Sequence, residues 1–205
     1  MCEAGRTRDY AMVIDLGRCT GCWACAVACR EANGVGPGIW WTEVMTGEGD
    51  PQDVPTGCYP DLDLTYYPVA CQHCQDPPCV KVCPTGATYQ RPDGIIAMDY
   101  DLCNGCRACI AACPYGARHY APPGEGARGG GVVEKCDFCA GRVAEGLLPV
   151  CVTACAQGAR VFGDLSDPTG DVAQLLARRP AKRLLAELGT GPRVYYLLRQ
   201  ERRPL

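Results

Sequence analysis

The sequence predicts an α+β protein that is loop-rich, with two nested cysteine-rich units, inserted strands and a C-terminal docking tail. Three observations support this prediction. Sixteen of the eighteen cysteines fall into four sets of four. The chain holds 25 glycines and 17 prolines, so turns are expected to outnumber long helices. Short apolar segments of strand type stand before, between and after the cysteine sets.

The four cysteine sets share a Cys-x-x-x-Cys ending. In chain order they are Cys19-Cys22-Cys25-Cys29 (set one), Cys71-Cys74-Cys79-Cys83 (set two), Cys103-Cys106-Cys109-Cys113 (set three) and Cys136-Cys139-Cys151-Cys155 (set four). Sets one and three have the spacing C-x2-C-x2-C-x3-C, which is the ligand run of [4Fe–4S] clusters in bacterial ferredoxins. Sixteen thiolates are enough for four such clusters, so the sequence predicts a protein that transfers electrons.

The last cysteine of each set is expected to cross to a second cluster. In two-cluster ferredoxins the fourth cysteine of a run ligates the other cluster, because it lies beyond the loop that wraps its own. The inner pair of clusters is then held by Cys71, Cys74 and Cys79 with Cys113, and by Cys103, Cys106 and Cys109 with Cys83. The outer pair is held by Cys19, Cys22 and Cys25 with Cys155, and by Cys136, Cys139 and Cys151 with Cys29.

This pairing divides the chain into nested parts. Pro84 and Pro114 follow the crossing cysteines of the inner pair, as in ferredoxins, whereas Arg30 and Ala156 stand there in the outer pair. The predicted parts are an outer ferredoxin-like unit (1–34 and 132–164), an insertion (35–68), an inner ferredoxin-like unit (69–121), a flexible loop (122–131) and a C-terminal tail (165–205).

The elements of the first half follow from residue type. Ala11 to Ile14 is predicted to be a strand that enters set one, and a helix is predicted for Trp23 to Arg30. In the insertion, Ile39 to Val44 and Leu64 to Tyr67 are expected to pair as strands. Trp40 and Trp41 within it would cover a cluster or anchor a partner. A Pro-Asp-Gly turn between Thr88 and Met98 predicts a hairpin that links sets two and three.

The second half is justified in the same way. Short helices are predicted for Arg107 to Ala112 and for Arg142 to Gly146, and Arg160 to Phe162 is predicted to be a strand that leaves set four. Two further helices are expected at Asp171 to Arg178 and Lys182 to Leu188, the second ended by a glycine. The apolar end, Val194 to Leu198, is expected to be a strand or arm that docks on another subunit or packs on its own domain.

Composition excludes some functions. The formal net charge of −3 becomes about −11 once four clusters with four thiolates each are counted, and no basic stripe is present, so nucleic-acid binding is excluded. The sequence holds no run of 18 apolar residues, so no membrane span is expected. The first residues lack the apolar core of a signal peptide. A disulfide scaffold is not expected for these cysteines, because such scaffolds are typical of shorter secreted chains. Structural zinc sites are not expected either, because they join two separated C-x2-C pairs and do not require cysteine triplets.

The remaining reactive residues do not form a catalytic site. No P-loop, dinucleotide-binding glycine run or catalytic triad is recognisable. His73 lies between two cysteines and is expected to shield or tune a cluster. Cys2 and Cys58 stand outside the sets and are expected to be ordinary thiols. Four cations lie beside the cysteines and would offset cluster charge or simply be solvated: Arg18, Lys81, Arg107 and Lys135.

Six stretches together indicate a family. They are Arg18-Cys19-Thr20-Gly21-Cys22, Cys71-Gln72-His73-Cys74 through Pro77-Pro78-Cys79, Cys83-Pro84-Thr85-Gly86-Ala87, Ala112-Cys113-Pro114-Tyr115-Gly116, Lys135-Cys136-Asp137-Phe138-Cys139 and Phe162-Gly163-Asp164-Leu165. On these the chain resembles the four-cluster iron–sulfur (B) subunits of molybdopterin oxidoreductases, the group of polysulfide, thiosulfate, tetrathionate and DMSO reductases. A subunit of a hydrogenase or formate complex, a free polyferredoxin and a zinc scaffold are the alternatives.

The resemblance implies partners and a place. One partner would be a catalytic subunit with molybdenum or tungsten bis-pterin, and the other a membrane subunit that exchanges electrons with quinol. The cluster of Cys103, Cys106, Cys109 and Cys83 would lie at the membrane end, and all four clusters would be [4Fe–4S]. The chain would be a peripheral subunit of a membrane-associated complex. It would be extracytoplasmic if the catalytic partner carries a twin-arginine signal and cytoplasmic otherwise.

Overall fold

The computed structural model describes residues 8–47 and 55–199. They form a mixed α/β, loop-rich structure with small sheets. Its elements are β1 (Tyr10–Asp15), α1 (Ala24–Asn33), β2 (Thr42–Thr46), β3 (Thr56–Cys58), β4 (Asp61–Asp63), β5 (Tyr66–Ala70), α2 (Pro78–Lys81), β6 (Thr88–Gln90), β7 (Ile96–Met98), α3 (Ala108–Ala111), β8 (His119–Ala121), β9 (Val132–Glu134), α4 (Ala140–Ala144), α5 (Val150–Thr153), β10 (Arg160–Asp164), α6 (Asp171–Arg178), β11 (Ala181–Lys182), a 3-10 helix (Ala186–Leu188) and β12 (Val194–Leu197). None of the described helices has the length and hydropathy to span a membrane.

A four-stranded sheet of order β10-β1-β12-β11 ties the two ends of the chain together. The predicted strands at Ala11 to Ile14 and Arg160 to Phe162 are confirmed as β1 and β10, which pair antiparallel. Every residue of β1 is buried because both of its faces are covered. Met12 and Ile14 point into the main core, while Ala11 and Val13 pack with α6 on the other face.

The C-terminal strand packs on its own domain. β12 pairs in parallel with β1, and Tyr196 and Leu197 are completely buried. The hydroxyl of Tyr196 donates a hydrogen bond of 3.0 Å to the carbonyl of Pro68. Tyr196 and Leu197 therefore have the second of the two roles expected for this tail, which is packing on their own domain. Leu198 is exposed, and docking of the tail on another subunit stays a prediction.

One predicted helix is wrong and another is confirmed. The helix at Asp171 to Arg178 is present as α6. Residues 182–188 do not form the predicted α-helix, because Ala181 and Lys182 pair with the open edge of β12. Leu185 then adopts a left-handed backbone at φ 46°, which leaves only a single 3-10 turn before Gly189. Pairing with a sheet edge, a tertiary interaction, has overridden the local helical preference.

Four hairpin-like ladders surround the cysteine sets. The insertion holds the expected pair of strands, β2 and β5, with bounds shifted by a few residues along the chain, and also a small exposed β3–β4 hairpin. The predicted hairpin between sets two and three is confirmed as β6–β7. The pair β8–β9 flanks the glycine-rich segment 122–131, in which Gly124 and Gly129 close a turn.

The main core is shared between apolar side chains and cysteines. It joins Met12, Ile14, Trp41 and Phe162 with several cysteine side chains from different sets. Trp41 is buried and therefore cannot anchor a partner, whereas Trp40 is half-buried and meets Trp23 edge to face at 5.7 Å. Of the two roles considered for these tryptophans, packing around the cysteines is the one that the contacts favour.

Candidate metal centres

All four sets bend their chain in the same way. The residue before the second cysteine has a positive φ in each case: 70° at Gly21, 45° at His73, 70° at Gly105 and 55° at Phe138. A left-handed backbone is costly for residues other than glycine, and it persists where function or packing demands it. Sets with three different overall spacings therefore use one loop shape, which curls the first two cysteines towards a common point.

A short helix delivers the third cysteine of each set. Cys25 lies in α1, Cys79 in α2, Cys109 in α3 and Cys151 in α5, and all four are buried. In sets two and four these helices begin directly after a proline, at Pro77 and Pro149. Proline suits this position because the first helical turn does not use its backbone N–H.

The structure brings the sixteen cysteines together in four quartets, each with three cysteines from one set and one from another. Site 1 is a cavity lined by Cys19, Cys22, Cys25 and Cys155. Site 2 is a cavity lined by Cys29, Cys136, Cys139 and Cys151. Site 4 is a cavity lined by Cys83, Cys103, Cys106 and Cys109. At site 3, Cys71, Cys79 and Cys113 lie near Cys74.

Each site is adjacent to the next in this numbering. Arg160 lines the cavities of both site 1 and site 2. Cys71 of site 3 lines the cavity of site 2. Arg118 donates a hydrogen bond to Cys79 of site 3 and also interacts with Cys109 of site 4. The exposed cysteines of the quartets are Cys22 and Cys106, which belong to the two end sites.

The quartets fit a cluster better than a single ion. Among the residues that the structure describes, no three His, Cys, Asp or Glu side chains are grouped so that they could hold one metal ion. A structural zinc ion needs four ligands at about 2.3 Å from its centre, so its cysteines must lie close together. Four thiols arranged around a space, with helices and backbone N–H groups behind them, suit a larger inorganic core.

Comparison with known proteins agrees with this geometry. A family model described as a 4Fe-4S dicluster domain matches residues 62–165. A putative iron–sulfur B subunit of a dimethyl sulfoxide reductase of Halobacterium salinarum is 48% identical, over 92% of this chain and 79% of that protein. The B subunit of a sulfite dehydrogenase of Allochromatium vinosum is 39% identical, over 95% and 85%. The B subunit of the tetrathionate reductase of Salmonella typhimurium is 43% identical, over 95% and 74%.

The chain belongs to the iron–sulfur B subunits. The resemblance inferred from its motifs is thereby confirmed. As a member of this family it transfers electrons within a multi-subunit oxidoreductase and is not an enzyme on its own.

Burial favours the protonated form of several thiols of this iron–sulfur protein in the absence of a metal. Burial raises the pKa of Cys29 to about 12 and that of Cys74 to about 11. It raises the pKa of Cys136 well above the usual value, and neighbouring thiolates add to this effect. A metal ligand must be a thiolate, so cluster insertion at these positions must release protons and replace them with cationic iron.

The four cations predicted beside the cysteines have different environments. Lys135 is fully buried, and its Nζ donates to the carbonyls of Ile96 and Cys136. Lys81 is exposed and pairs with Asp76 at 2.6 Å, so a carboxylate already balances its charge. Arg18 and Arg107 are exposed as well. Burial therefore distinguishes Lys135 as the one of these four that can act strongly on a buried site.

Two buried arginines were missed at the sequence level. Arg118 and Arg160 lie beside cysteines of two sites each, yet both follow their set and neither is adjacent to a cysteine in sequence. A signal was present as a repeat, because Gly-Ala-Arg follows both Cys113 and Cys155 at the same spacing.

His73 lies at the junction of sites 2 and 3. Its ring stacks on Phe138 with centroids 3.6 Å apart, and its Nδ1 accepts a hydrogen bond from the N–H of Ile96 at 3.0 Å. Burial, together with the nearby cations Lys135, Arg193 and Arg118, lowers the pKa of His73 far below its usual value. A neutral ring held in this way agrees with the expected shielding role and is unsuited to proton transfer near neutral pH.

Proposed function

We propose that this protein carries electrons through four [4Fe–4S] clusters from one partner subunit to another. One observation carries the proposal: four cysteine quartets follow one another through the chain, and exposed cysteines of the quartets occur only at the two end sites among the described residues. Clusters bound there would supply one-electron chemistry. Buried middle sites and exposed end sites suit entry at one surface and exit at another.

The ligands of the proposed clusters are the sixteen cysteines of the quartets. Each cluster takes three ligands from one set and the crossing cysteine of another, so that sites 3 and 4 form the inner ferredoxin-like unit and sites 1 and 2 form the outer one. The support is the lining of the cavities, in which Cys155 joins set one, Cys29 joins set four and Cys83 joins set three. Cys58 is exposed in β3 and does not line the cavities of sites 1, 2 and 4, and Cys2 lies outside the described residues.

The proposed partners are a molybdopterin catalytic subunit and a membrane subunit linked to quinone, in a complex of anaerobic respiration. The support is that relatives are named as subunits of tetrathionate, selenate and arsenate reductases, so at least one further polypeptide accompanies each of them. Site 4 is proposed to face the membrane subunit and site 1 the catalytic subunit. The complex would then be peripheral to the membrane, on the side determined by the catalytic partner's export signal.

The cluster content is tested on anaerobically purified protein. We expect about 16 iron and about 16 acid-labile sulfide per chain, and EPR signals of reduced [4Fe–4S] clusters without a [3Fe–4S] signal. Zinc without iron, or a colourless protein prepared without oxygen, would contradict the proposal.

The direction of the relay is tested in the intact complex. Cys106→Ala removes an exposed ligand at site 4 and is expected to abolish reduction of the catalytic centre by a quinol analogue. A small artificial donor that reaches the catalytic subunit directly should still reduce it. Cys58→Ala serves as the matched control and should leave both reactions unchanged. Normal quinol-dependent turnover in a Cys106→Ala complex that has lost one cluster would rule out site 4 as the entry site.

A further inference from the structure

Two arginines are buried without a carboxylate counter-ion among the residues that the structure describes. Arg118 is 3% exposed and Arg160 is 5% exposed. Within residues 8–47 and 55–199, neither forms an ion pair with a carboxylate. Two nitrogens of Arg160, Nε and Nη2, also lack a hydrogen-bond partner there. An unpaired buried charge is strongly destabilising, so the fold must place an anion beside each guanidinium.

The same local sequence places both arginines. Arg118 ends the segment Cys-Pro-Tyr-Gly-Ala-Arg that starts at Cys113, and Arg160 ends Cys-Ala-Gln-Gly-Ala-Arg, which starts at Cys155. In both segments the glycine has a positive φ and the alanine after it is buried. The arginine is thus the fifth residue after a crossing cysteine in each unit. Two occurrences of one device argue against an accident of packing.

Arg118 lies between sites 3 and 4. Its Nη2 donates to the sulfur of Cys79 at 3.0 Å, which belongs to site 3. Its Nη1 donates at 3.1 Å to the hydroxyl of Thr88, a residue that lines site 4. Burial disfavours its charge, but the thiolates of Cys79, Cys71 and Cys109 raise its pKa. One cation therefore faces cysteines of two quartets.

Arg160 holds the equivalent place between sites 1 and 2. It lines both cavities. Burial opposes its charge, while the thiolates of Cys151, from site 2, and Cys25, from site 1, raise its pKa. Because a guanidinium stays protonated at all ordinary pH values, its charge is permanent.

A permanent cation affects reduction in a simple way. Each one-electron reduction adds a negative charge to a site, and a fixed positive charge nearby stabilises that added charge more strongly where water is excluded. Hydrogen bonds to ligating sulfurs act in the same direction. A cation placed between two sites acts in this way on both of them.

We propose that Arg118 and Arg160 are shared counter-cations, each of which raises the reduction potential of both clusters of one pair. This inference rests on the proposed function, since it requires clusters at the four sites. The two arginines change the reduction potentials of the clusters and do not bind iron. Arg118 acts on the inner pair of clusters and Arg160 on the outer pair.

The test is a potentiometric titration of the anaerobic holoprotein, followed by EPR, in variants Arg118→Met and Arg160→Met. Each variant is expected to lower two of the four midpoint potentials, with the reduction equilibrium constant falling at least ~10-fold, which is about 59 mV for a one-electron couple. The two variants should move different pairs of potentials. Arg118→Lys should restore most of the shift, because it keeps the charge. Arg178→Met is the control, since Arg178 is exposed on α6 and its replacement removes an equal charge.

Iron and sulfide analysis separates this inference from the proposed function. A wild-type protein without clusters would refute the proposed function itself. Full cluster content with unchanged potentials in both methionine variants, or equal shifts in Arg178→Met, would overturn the inference alone. If the methionine variants lose clusters, Arg118→Lys decides: retention of all clusters supports a requirement for charge, whereas loss shows that Arg118 serves packing and refutes the proposed role.

Discussion

The crossed quartets can be tested by removing cysteines in pairs. Cys83 and Cys103 belong to different sets in sequence but line the same cavity at site 4. Cys83 and Cys79 belong to the same set but to different sites, since Cys79 is a neighbour of Cys74 at site 3. If each quartet holds one cluster, the pair that shares a site must behave as a unit. The pair that shares only a set must behave independently.

The expected iron content follows from this arrangement. Each single alanine variant should lose one cluster, so that iron falls from about 16 to about 12 per chain. The double variant Cys83→Ala/Cys103→Ala should also keep about 12, because both changes remove the same cluster. The double variant Cys83→Ala/Cys79→Ala should keep about 8, because it removes two.

The assay is iron and sulfide per chain on anaerobic protein that elutes as a single folded species. EPR of the reduced samples adds a second measure, because Cys83→Ala and Cys103→Ala should lack the same signal. Cys58→Ala is the control and should retain full content. The crossed arrangement is refuted if Cys83→Ala/Cys103→Ala loses twice as much iron as either single variant while Cys83→Ala/Cys79→Ala loses only one cluster.

Three further predictions concern backbone, packing and pH. Gly105→Ala should lose the site 4 cluster, because φ is +70° and the new Cβ would lie 2.5 Å from a backbone oxygen; Gly116→Ala meets no atom and should cost only the left-handed backbone, about 1–2 kcal/mol. Tyr196→Phe removes the buried 3.0 Å hydrogen bond to Pro68 and should destabilise the fold by about 1–3 kcal/mol, measured as a lower thermal midpoint. Burial lowers the pKa of His119, so its contribution to stability is complete above about pH 6.5 and declines below it, and His119→Gln should weaken the pH dependence of the midpoint.

Each of these has its own check. Equal iron content in Gly105→Ala and Gly116→Ala would show that the close approach is tolerated. Tyr195→Phe removes the hydroxyl of the preceding residue of β12. Because Tyr195 is only half-buried, this change should lower the thermal midpoint less than Tyr196→Phe does. For His119, the difference in midpoint between wild type and variant is compared at about pH 7.5 and about pH 5.5, and a constant difference would contradict the assigned protonation.

Local chemistry allowed part of the structure to be predicted from the sequence. The cysteine spacing indicated quartets before any geometry was known, because a short loop can present thiols to one cluster only at fixed intervals. The strands β1 and β10 and the β6–β7 hairpin followed from apolar runs and a Pro-Asp-Gly turn. These strands and this hairpin depend on neighbours in sequence, and the structure confirms them.

The remainder depends on contacts between distant residues. Nothing near Tyr196 in sequence shows that it lies beside Ile14, or that Lys182 pairs with it across the sheet edge and prevents a helix. Arg118 and Arg160 were not singled out from the sequence, because an arginine there is expected to be solvated. Only the structure shows that both are buried away from solvent and from carboxylates. Proximity to a cysteine in sequence, which singled out Lys81, was a poor guide by comparison.

The crossing from one end of the chain to the other has a consequence for biosynthesis. Of the sixteen cysteines Cys19 is the first to be synthesised, yet the cavity that it lines also needs Cys155, the last of them, and the central sheet is completed only by β12. The inner cavity of Cys83 and Cys103 can close much earlier. Maturation must therefore proceed from the middle outward, and the earliest thiols must be kept reduced until Cys155 and β12 have been synthesised.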